Sequence, residues 1–369
     1  MKVLLLLGLA AAATALSIPA ADSRVYSTEW NWHRDKTGYL ETTNPGAYIK
    51  VDFNGSSIGI ALDKSLSTKP FCTLSWSIDN GPEQDQQLPA ANDFVQLASG
   101  LNRNAQHTLY LFVRNAEFFD RWFAPAIRIR ILNIKIDDDA TLFAPKLAPK
   151  RLLTYGGSIT EGYHIYGNGG ALVDNDAHVN WAFSLALGLE AEVSTVGWSG
   201  QGYSVPTGNI PPLWDETGSA NKSSWNWLSS QHPRSFETCP DYIVNGHGTN
   251  DASKGTPDRT FTCIVGWLTD IRKACPKSHI FVQVPFGRFI EDTAAKAFQA
   301  YQAKKADPLA YFISFKDRAS AGLMGKGASM YSPDGIHPYY WRSSQLGALM
   351  VDEINRQTSQ SFIKKMMEM

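Results

Sequence analysis

The stretch Leu152-Leu153-Thr154-Tyr155-Gly156-Gly157-Ser158-Ile159-Thr160-Glu161-Gly162 decides how the rest of the chain is interpreted. Its apolar beginning is typical of a buried parallel strand, and two glycines end that run. The residues from Ser158 onward fit the start of a helix. Such a turn would place a hydroxyl at the C-terminal end of a strand, where parallel sheets bind ligands. The alternative is an ordinary glycine-rich turn whose serine only caps the helix.

Downstream of this stretch, short apolar runs alternate with segments of helix length. The pattern predicts strands at 152–155, 191–196, 242–245, 280–284 and 310–315, and helices at 180–188, 260–274, 294–306 and 341–355. Alternation of this kind favours a parallel sheet with helices on both faces. We therefore predict a three-layer α/β/α domain over residues 150–358, followed by a loosely ordered tail.

The chain upstream has a different pattern. Between residues 22 and 145, short β-rich runs such as 48–53 and 108–113 are separated by turn sequences such as Asn54-Gly55. Several of these runs alternate apolar and polar residues, which is the pattern of an antiparallel sandwich. We expect an all-β, jelly-roll-like domain here, joined to the second domain by a short linker that contains Pro145 and Pro149.

Residues 1–17 match a secretory signal peptide. A lone lysine precedes the apolar run 3–13, and Ala13-Thr14-Ala15 fits the small-residue cleavage pattern. The run is shorter than the ~20 residues that a membrane-spanning helix needs. We therefore expect a secreted, extracellular protein. Two sequences fit the N-glycosylation pattern if the source is eukaryotic, those at Asn54 and Asn221.

Composition excludes several classes of partner. The formal net charge is −1 over 369 residues, and the chain has no basic stripe or polybasic run. Neither nucleic acid nor a membrane surface is therefore an expected partner. Hydrophobic residues make up 43% of the chain, which is enough for sizeable cores. We expect a monomer.

Secretion makes the four cysteines candidates for disulfides, although four cysteines allow three complete pairings. Cys239 and Cys275 each lie just before an apolar run, so they would sit side by side if these runs are neighbouring parallel strands. We favour this pair. Cys72 falls in a strand pattern and Cys263 in a helical one, and both are predicted to be buried thiols. No CxxC spacing suggests zinc, and we predict no metal and no cofactor.

Three later stretches accompany the one around Ser158. They are Gly197-Trp198-Ser199-Gly200-Gln201-Gly202, Gly246-His247-Gly248-Thr249-Asn250-Asp251 and Asp334-Gly335-Ile336-His337-Pro338. As a set and in this order, the four stretches resemble the sequence blocks of the SGNH (GDSL-type) hydrolases over roughly residues 150–355. The order of a sandwich followed by such a domain is similar to that of carbohydrate esterase family 2.

The resemblance implies a Ser-His-Asp site. A serine hydroxyl is a poor nucleophile at neutral pH, so it needs a base within hydrogen-bond reach and an acceptor that orients the base. At a spacing of three residues, Asp334 can accept the Nδ1–H of His337 and leave Nε2 facing Ser158. The alternative is a loop turn with an ordinary surface histidine.

The resemblance also nominates three donors for the oxyanion formed during ester cleavage. They are the backbone N–H of Ser158, the backbone N–H of Gly200 and the side-chain amide of Asn250. Gly200 lacks a Cβ, so its backbone can approach a substrate closely. The alternatives are a plain turn glycine at 200 and a helix cap at 250.

One departure and two aromatic side chains bear on the substrate. The first block of the family usually reads Gly-Asp-Ser, and here Gly157 stands in place of the aspartate, so the nucleophile turn must be supported differently. Trp198 and Trp214 are predicted to line the site, because sugar rings stack on indoles. Trp181 and Trp267 lie on helical patterns and are predicted to be core residues.

These inferences predict a secreted serine esterase that removes O-acetyl groups from an acetylated polysaccharide or oligosaccharide through an acyl-enzyme. Two alternatives stay open. One is a short-chain lipid or aryl esterase of the same fold. The other is a carbohydrate-binding protein whose hydrolase domain has lost activity, which the glycine at 157 makes conceivable.

Overall fold

The computed structural model describes residues 15–66, 71–117, 121–123, 127–167, 172–216, 223–315 and 331–368, with side chains described up to residue 360. Two antiparallel sheets form a sandwich in the first part of the chain, and a five-stranded parallel sheet with helices forms the second part. The predicted fold class is confirmed.

Twelve strands of the sandwich lie within the described ranges. They are β1 (Ala15–Pro19), β2 (Tyr26–Ser27), β3 (His33–Arg34), β4 (Leu40–Thr42), β5 (Tyr48–Asn54), β6 (Ile58–Leu62), β7 (Cys72–Ile78), β8 (Gln84–Leu88), β9 (Phe94–Ala98), β10 (Gln106–Ala116), β11 (Ile129–Asp137) and β12 (Leu142–Phe143). One sheet has the order β3-β4-β11-β6-β9, with β1 also on β11. The other has the order β12-β5-β10-β7-β8, with β2 also on β5.

Alternating side chains explain why the two sheets pack face to face. In β5, Val51 and Phe53 point inward and are fully buried, while the residues between them are partly exposed. They meet Leu109 and Leu111 of the neighbouring β10, and all four belong to one apolar cluster that both sheets share. A period of two places every second residue of a strand on the same face, so one buried face is enough to fix the register.

The second domain contains the strands β13 (Lys150–Gly156), β14 (Ala191–Gly197), β15 (Tyr242–Asn245), β16 (His279–Gln283) and β17 (Ala310–Ile313). All pairings between them are parallel, in the order β14-β13-β15-β16-β17. The helices are α1 (Ser158–Glu161), α2 (Trp181–Leu189), α3 (Asp251–Lys254), α4 (Pro257–Ala274), α5 (Glu291–Lys305) and α6 (Tyr340–Glu368).

Helices cover both faces of the parallel sheet. Leu152 and Val244 point to the face covered by α2 and α6, whereas Leu153 and Ile243 point to the face covered by α4 and α5. Trp181 on α2 and Trp267 on α4 are both fully buried, as predicted. The helix expected from Ser158 onward is the single turn α1. One helix prediction was wrong in length: α6 continues to Glu368, where a loosely ordered tail was expected.

The sandwich packs against the edge strand β14. Lys50 of the sandwich forms an ion pair of 2.8 Å with Glu192, and the hydroxyl of Tyr48 donates to the same carboxylate at 2.5 Å. Further along β14, the side-chain amide of Asn31 donates to the backbone oxygen of Thr195 at 2.7 Å. These buried polar contacts are satisfied across the boundary, so the two domains hold each other in a fixed position.

The cysteine predictions agree with the structure. Cys239 and Cys275 are joined in a disulfide just before the neighbouring strands β15 and β16, whereas Cys72 and Cys263 are buried free thiols. Burial raises the pKa of Cys263 to about 12 and that of Cys72 well above its ordinary value, so neither is a reactive thiolate.

The described N-terminus begins with β1, whose Ala15 pairs with Asp137. Most of the predicted signal peptide, residues 1–14, lies outside the described residues, as does Asn221. None of the helices within the described ranges has the length and apolar composition needed to cross a membrane.

Candidate active site

Three of the four sequence blocks meet because they follow three neighbouring strands. Gly156 of β13 pairs with Gly197 of β14, and Tyr155 of β13 pairs with Asn245 of β15. The loops that follow these residues therefore leave the sheet at the same edge. Ser158 lies on the first of these loops, after β13, which is the middle one of the three strands, and the carboxyl ends of the strands form the edge where parallel sheets bind ligands.

The fourth block brings a base to this serine. The His337 Nε2 atom lies 2.7 Å from the Ser158 Oγ, and its Nδ1 atom lies 2.6 Å from the Asp334 Oδ2. Both distances are those of hydrogen bonds. The imidazole is thus held with one nitrogen on the carboxylate and the other on the serine hydroxyl, which is the relation required for general-base activation of a serine.

Asp334 is fixed by several donors. Its Oδ1 atom accepts the backbone N–H groups of Ile336 at 2.8 Å and His337 at 3.1 Å. Partial burial raises the pKa of the Asp334 carboxyl, but hydrogen bonds, chiefly from His337, outweigh burial and hold this pKa well below its usual range. Asp334 therefore stays a carboxylate at any pH at which the protein would work, and it can orient and stabilise a protonated imidazole.

A second histidine shares this carboxylate, and the sequence analysis missed it. The His164 Nδ1 atom lies 3.1 Å from the Asp334 Oδ2, the oxygen that also contacts His337. His164 has a φ of +55° and is held there by a 2.8 Å bond from its backbone N–H to the Asn175 Oδ1. Its ring stacks on Tyr163 with centroids 3.9 Å apart. A non-glycine residue at positive φ needs such support from its surroundings.

His164, Asp334 and His337 are also the one group of described side chains close enough to hold a metal ion, with ligand atoms within 4.8 Å of one another. The carboxylate oxygen already accepts from both rings, at 3.1 and 2.6 Å. Hydrogen bonding accounts for the closeness of the three groups, so the arrangement fits an oriented base without a bound ion.

Of the three nominated oxyanion donors, Ser158 and Asn250 line the same pocket, and Gly200 lies on the loop whose Gln201 backbone oxygen borders Gly157. Gly200 has a φ of +82°, a conformation that favours glycine. No hydrogen bond from the backbone N–H of Ser158 or Gly200 is found within the described ranges, so both groups are available as donors. The Asn250 Nδ2 donates to the backbone oxygen of Gln201 at 2.9 Å, and its second hydrogen remains for a ligand. Asn250 precedes α3, but its side chain makes no capping bond, which excludes the alternative of a helix cap.

The structure gives a physical reason for glycine at position 157. A Cβ built on Gly157 would lie 3.0 Å from the Asn250 Nδ2 and 3.2 Å from the backbone oxygen of Gln201. A side chain there would press on the amide that faces the pocket. In the absence of an aspartate at position 157, the Asn250 amide packs directly against the glycine. The backbone oxygen of Gln201 orients this amide.

Two buried acids that the sequence analysis missed hold these loops. Asp251 accepts the backbone N–H groups of Tyr203 and Ser204, both at 2.9 Å, which ties the Gly200 loop to the Asn250 loop. Glu161 accepts the backbone N–H of Ser199 at 2.6 Å and forms a buried ion pair with Arg121 of the sandwich domain. The first domain thus contributes a cation directly behind the candidate site.

A buried neutral histidine supports the same loop. The His247 Nδ1 lies 2.9 Å from the Asn245 Oδ1, and its Nε2 lies 3.2 Å from the Gln201 Oε1. Burial lowers the pKa of His247 to about 3, so the ring is neutral near pH 7. A neutral ring carries one N–H and can donate to only one of these two oxygens. The ring therefore packs between Asn245 and Gln201, and the backbone oxygen of Gln201 orients Asn250.

The two predicted substrate-binding tryptophans do not lie where the sequence analysis expected. Trp198 is fully buried, with the Arg121 guanidinium 4.5 Å above its ring and Trp122 packed edge-on at 6.2 Å. Trp214 packs against α4, and its Nε1 donates to Asp270 at 2.7 Å. Neither residue lines the pocket at the serine. Both predictions were wrong, because the tryptophans fill space behind and beside the loops.

The pocket next to Ser158 has a half-exposed mouth and buried inner walls. Its mouth contains Ser158 and Asn250, and its inner walls come from α1, α2 and the loops after β15 and β16. The lining residues are Gly157, Ser158, Ile159, Thr160, Trp181, Gln201, Gly246, His247, Gly248, Thr249, Asn250, Gln283, Pro285 and Phe286.

Comparison with known proteins finds one curated relative and a set of solved structures with the same fold. No protein-family model matches the chain. The chain is 26% identical over 244 residues to an acetylxylan esterase / glucomannan deacetylase of Cellvibrio japonicus, a match that covers 61% of this chain and 62% of that relative. The match thus spans less than two thirds of the relative's length.

Solved structures share the whole two-domain fold. A family two carbohydrate esterase of Cellvibrio japonicus has a TM-score of 0.75 at 17% identity, covering 94% of this chain and 99% of that chain. A family two carbohydrate esterase of Clostridium thermocellum, solved in complex with cellohexaose, has a TM-score of 0.71 at 18% identity, covering 91% of this chain and 99% of that chain. The likeness to carbohydrate esterase family 2 therefore includes the sandwich and its position.

Proposed function

We propose that this protein is a secreted serine esterase that removes O-acetyl groups from carbohydrate. The observation that carries the proposal is the hydrogen-bonded chain from Asp334 through His337 to the Ser158 Oγ, at 2.6 and 2.7 Å, at the ligand-binding edge of a parallel sheet. A serine in this environment is an activated nucleophile.

The geometry supports a two-step reaction. The Ser158 Oγ attacks the acetyl carbonyl carbon, while the His337 Nε2 takes the hydroxyl proton and Asp334 stabilises the resulting imidazolium. The carbonyl oxygen becomes an oxyanion beside the N–H donors of Ser158, Gly200 and Asn250. Collapse of this intermediate breaks the bond to the sugar oxygen, which receives the proton from His337 and leaves as the free hydroxyl.

Water completes the cycle. His337 takes a proton from a water molecule, whose oxygen attacks the acetyl group on Ser158 and forms a second oxyanion at the same donors. Cleavage of the acyl bond returns the proton to the Ser158 Oγ and releases acetate. The same three side chains therefore serve both steps.

A carbohydrate is the favoured alcohol component for two reasons. The matched relative is named for acting on acetylxylan and glucomannan. In addition, exposed aromatic residues follow the two site histidines in the chain: Tyr166 comes two positions after His164 and Tyr340 three after His337, with ring centroids 5.7 Å apart, and Trp341 follows Tyr340 at the start of α6. Sugar rings present C–H faces to such aromatic side chains. We propose that these side chains, rather than Trp198 and Trp214, stack against the sugar ring.

Acetate release tests the proposal. Purified protein and its Ser158→Ala variant would be incubated with acetylated xylan, acetylated glucomannan, aryl acetates and octanoyl esters. We expect acetate from the polysaccharides with the wild-type protein only. A preference for octanoyl esters would indicate the lipid-esterase alternative, and polysaccharide binding without hydrolysis of any ester would indicate the inactive binding protein.

Secretion is a separate part of the proposal. The cleavage pattern ends at Ala15, and a cut there would leave Leu16 as the first residue of the mature chain, inside β1. The Cys239–Cys275 disulfide fits an oxidising compartment. N-terminal sequencing of protein recovered from culture medium tests this: Leu16 is the expected first residue, and protein that stays in the cells with residues 1–15 attached would contradict it.

A further inference from the structure

We propose that the pocket on the side of Ser158 away from His337 is the acyl pocket, and that Gln283 closes its inner end so that acetyl is the largest acyl group it accepts. The inference rests on the proposed esterase function and extends it, because it assigns a residue to the choice of acyl group.

The chemistry of ester cleavage decides which side of the serine holds which part of the substrate. His337 must deliver a proton to the departing sugar oxygen, so the sugar lies on the His337 side. The acyl group then lies on the other side, next to the oxyanion donors. The pocket fits this assignment, because its lining includes Ser158 and Asn250 but not His337.

The size of the pocket limits what can enter. Its cavity volume is about 10 Å³, which is at the lower limit of what a single water molecule needs. A methyl group is close to a water molecule in size, so the methyl of an acetyl group fits. Each further methylene of a propionyl or butyryl group would need space that the inner walls occupy. Because protein interiors are close-packed, these walls can move apart only at the cost of strain.

Gln283 is the wall residue best placed to set this limit. It ends β16, next to β15, and its side chain is 1% exposed. Its Oε1 atom lies against Gly246, where an added Cβ would come within 2.9 Å. This oxygen has no hydrogen-bond partner within the described ranges. A buried amide oxygen without a partner lowers stability, so its presence is better explained by the shape it gives to the pocket.

The other walls are anchored. Trp181 donates from its Nε1 to the Thr160 Oγ1 at 3.2 Å and packs edge-on against Phe286 with centroids 5.7 Å apart. Phe286 also stacks with Phe315 at 5.9 Å. Gln283 differs from these residues because a shorter side chain there would open space toward Gly246 without breaking a hydrogen bond.

The test compares kcat/KM for acetyl, propionyl and butyryl esters of one aryl alcohol in three proteins. We expect Gln283→Ala to raise the butyryl-to-acetyl ratio by about tenfold or more, since each methylene accepted in a pocket changes discrimination by about tenfold or more. Gln283→Leu is the matched control: it keeps the side-chain volume and removes the amide, so it should keep the wild-type ratio.

Several outcomes would overturn the inference. An unchanged ratio in a folded, acetyl-active Gln283→Ala variant would show that this residue does not limit the acyl group, and an equal rise in Gln283→Leu would show that polarity rather than size matters. If Gln283→Ala does not fold, Phe286→Val opens the same pocket and carries the same expectation. A wild-type protein that cleaves no ester at all would instead overturn the proposed function, so the two failures are distinct.

Discussion

The two sides of Ser158 are built differently. Following His164 and His337 in the chain, Tyr166 and Tyr340 are 40% and 50% exposed, and they belong to a loop and to the start of α6. On the Gln283 side, the walls are buried and come from the ends of strands and from α2. Side chains fixed by a sheet and its packed helices select by size, whereas exposed rings on loops accept a broader set of shapes. The contrast predicts an enzyme that is strict about the acyl group and tolerant of the sugar polymer.

The largest effect on both sides of Ser158 is expected from removing the general base, His337. His337→Ala should lower kcat/KM on every acetyl ester, by as much as about 10⁶-fold, because the serine is left unactivated. Asp334→Ala should cost less, since it removes the orienting group and leaves the imidazole. Matched rates on aryl and polysaccharide acetates would measure both effects. A His337 variant with more than a few per cent of wild-type turnover would contradict the assignment.

Loss of the amide that borders the acyl side should have the next largest effect. Asn250→Ala should lower kcat by about a hundredfold to a thousandfold and leave KM nearly unchanged, because the donor acts mainly on the oxyanion. Steady-state kinetics on one aryl acetate separate the two parameters. A change confined to KM would make Asn250 a ligand of the ground-state ester instead.

Removing the second histidine from the shared carboxylate should have a smaller effect. His164→Ala removes one donor from Asp334, so the carboxylate holds the His337 ring less firmly. We expect kcat to fall by about twofold to tenfold for one lost hydrogen bond, with KM nearly unchanged. His164→Asn is the matched control, since asparagine tolerates positive φ and retains a donor. Steady-state kinetics and thermal unfolding of both variants test this: a fall in kcat that only follows a fall in Tm would show a purely structural role.

The smallest effect is expected on the sugar side. Tyr340→Ala should lower the rate on acetylated oligosaccharides several-fold and leave aryl acetates nearly unchanged, because it removes about one aromatic contact, worth roughly 0.5–1.5 kcal/mol. Trp214→Phe is the control, as Trp214 packs against α4 away from the pocket. An equal loss of rate on oligosaccharide and aryl acetates in Tyr340→Ala would show that Tyr340 does not stack against the sugar.

Sequence spacing predicted the parts of the site that are local in the chain. Asp334 and His337 are three residues apart, and Ser158, Gly200 and Asn250 each follow a strand, so alternation and parallel pairing bring them to one edge. The same reasoning predicted the neighbouring positions of Cys239 and Cys275. In each case the information lies within a few residues of the element that positions the side chain.

Contacts between distant parts of the chain could not be predicted. Trp198 lies beside Gly200 in the sequence, but Arg121 from the other domain covers its ring, and that pairing leaves no periodic signal. His164 reaches Asp334 across 170 positions, and only its unusual φ marks it. The placement of Trp198 in the site was wrong, because the burial of a ring depends on which distant residues pack above it.

Labelling with a serine-directed phosphonate tests the central claim most directly. The account predicts one adduct per chain, located on Ser158 by peptide mass spectrometry, with loss of acetyl-ester hydrolysis in proportion to labelling. Pre-incubation with an acetylated oligosaccharide should slow the reaction, and the His337→Ala protein should label far more slowly. Two results would contradict Ser158 as the nucleophile: complete inactivation with the adduct on another residue, or full activity after Ser158 has been modified.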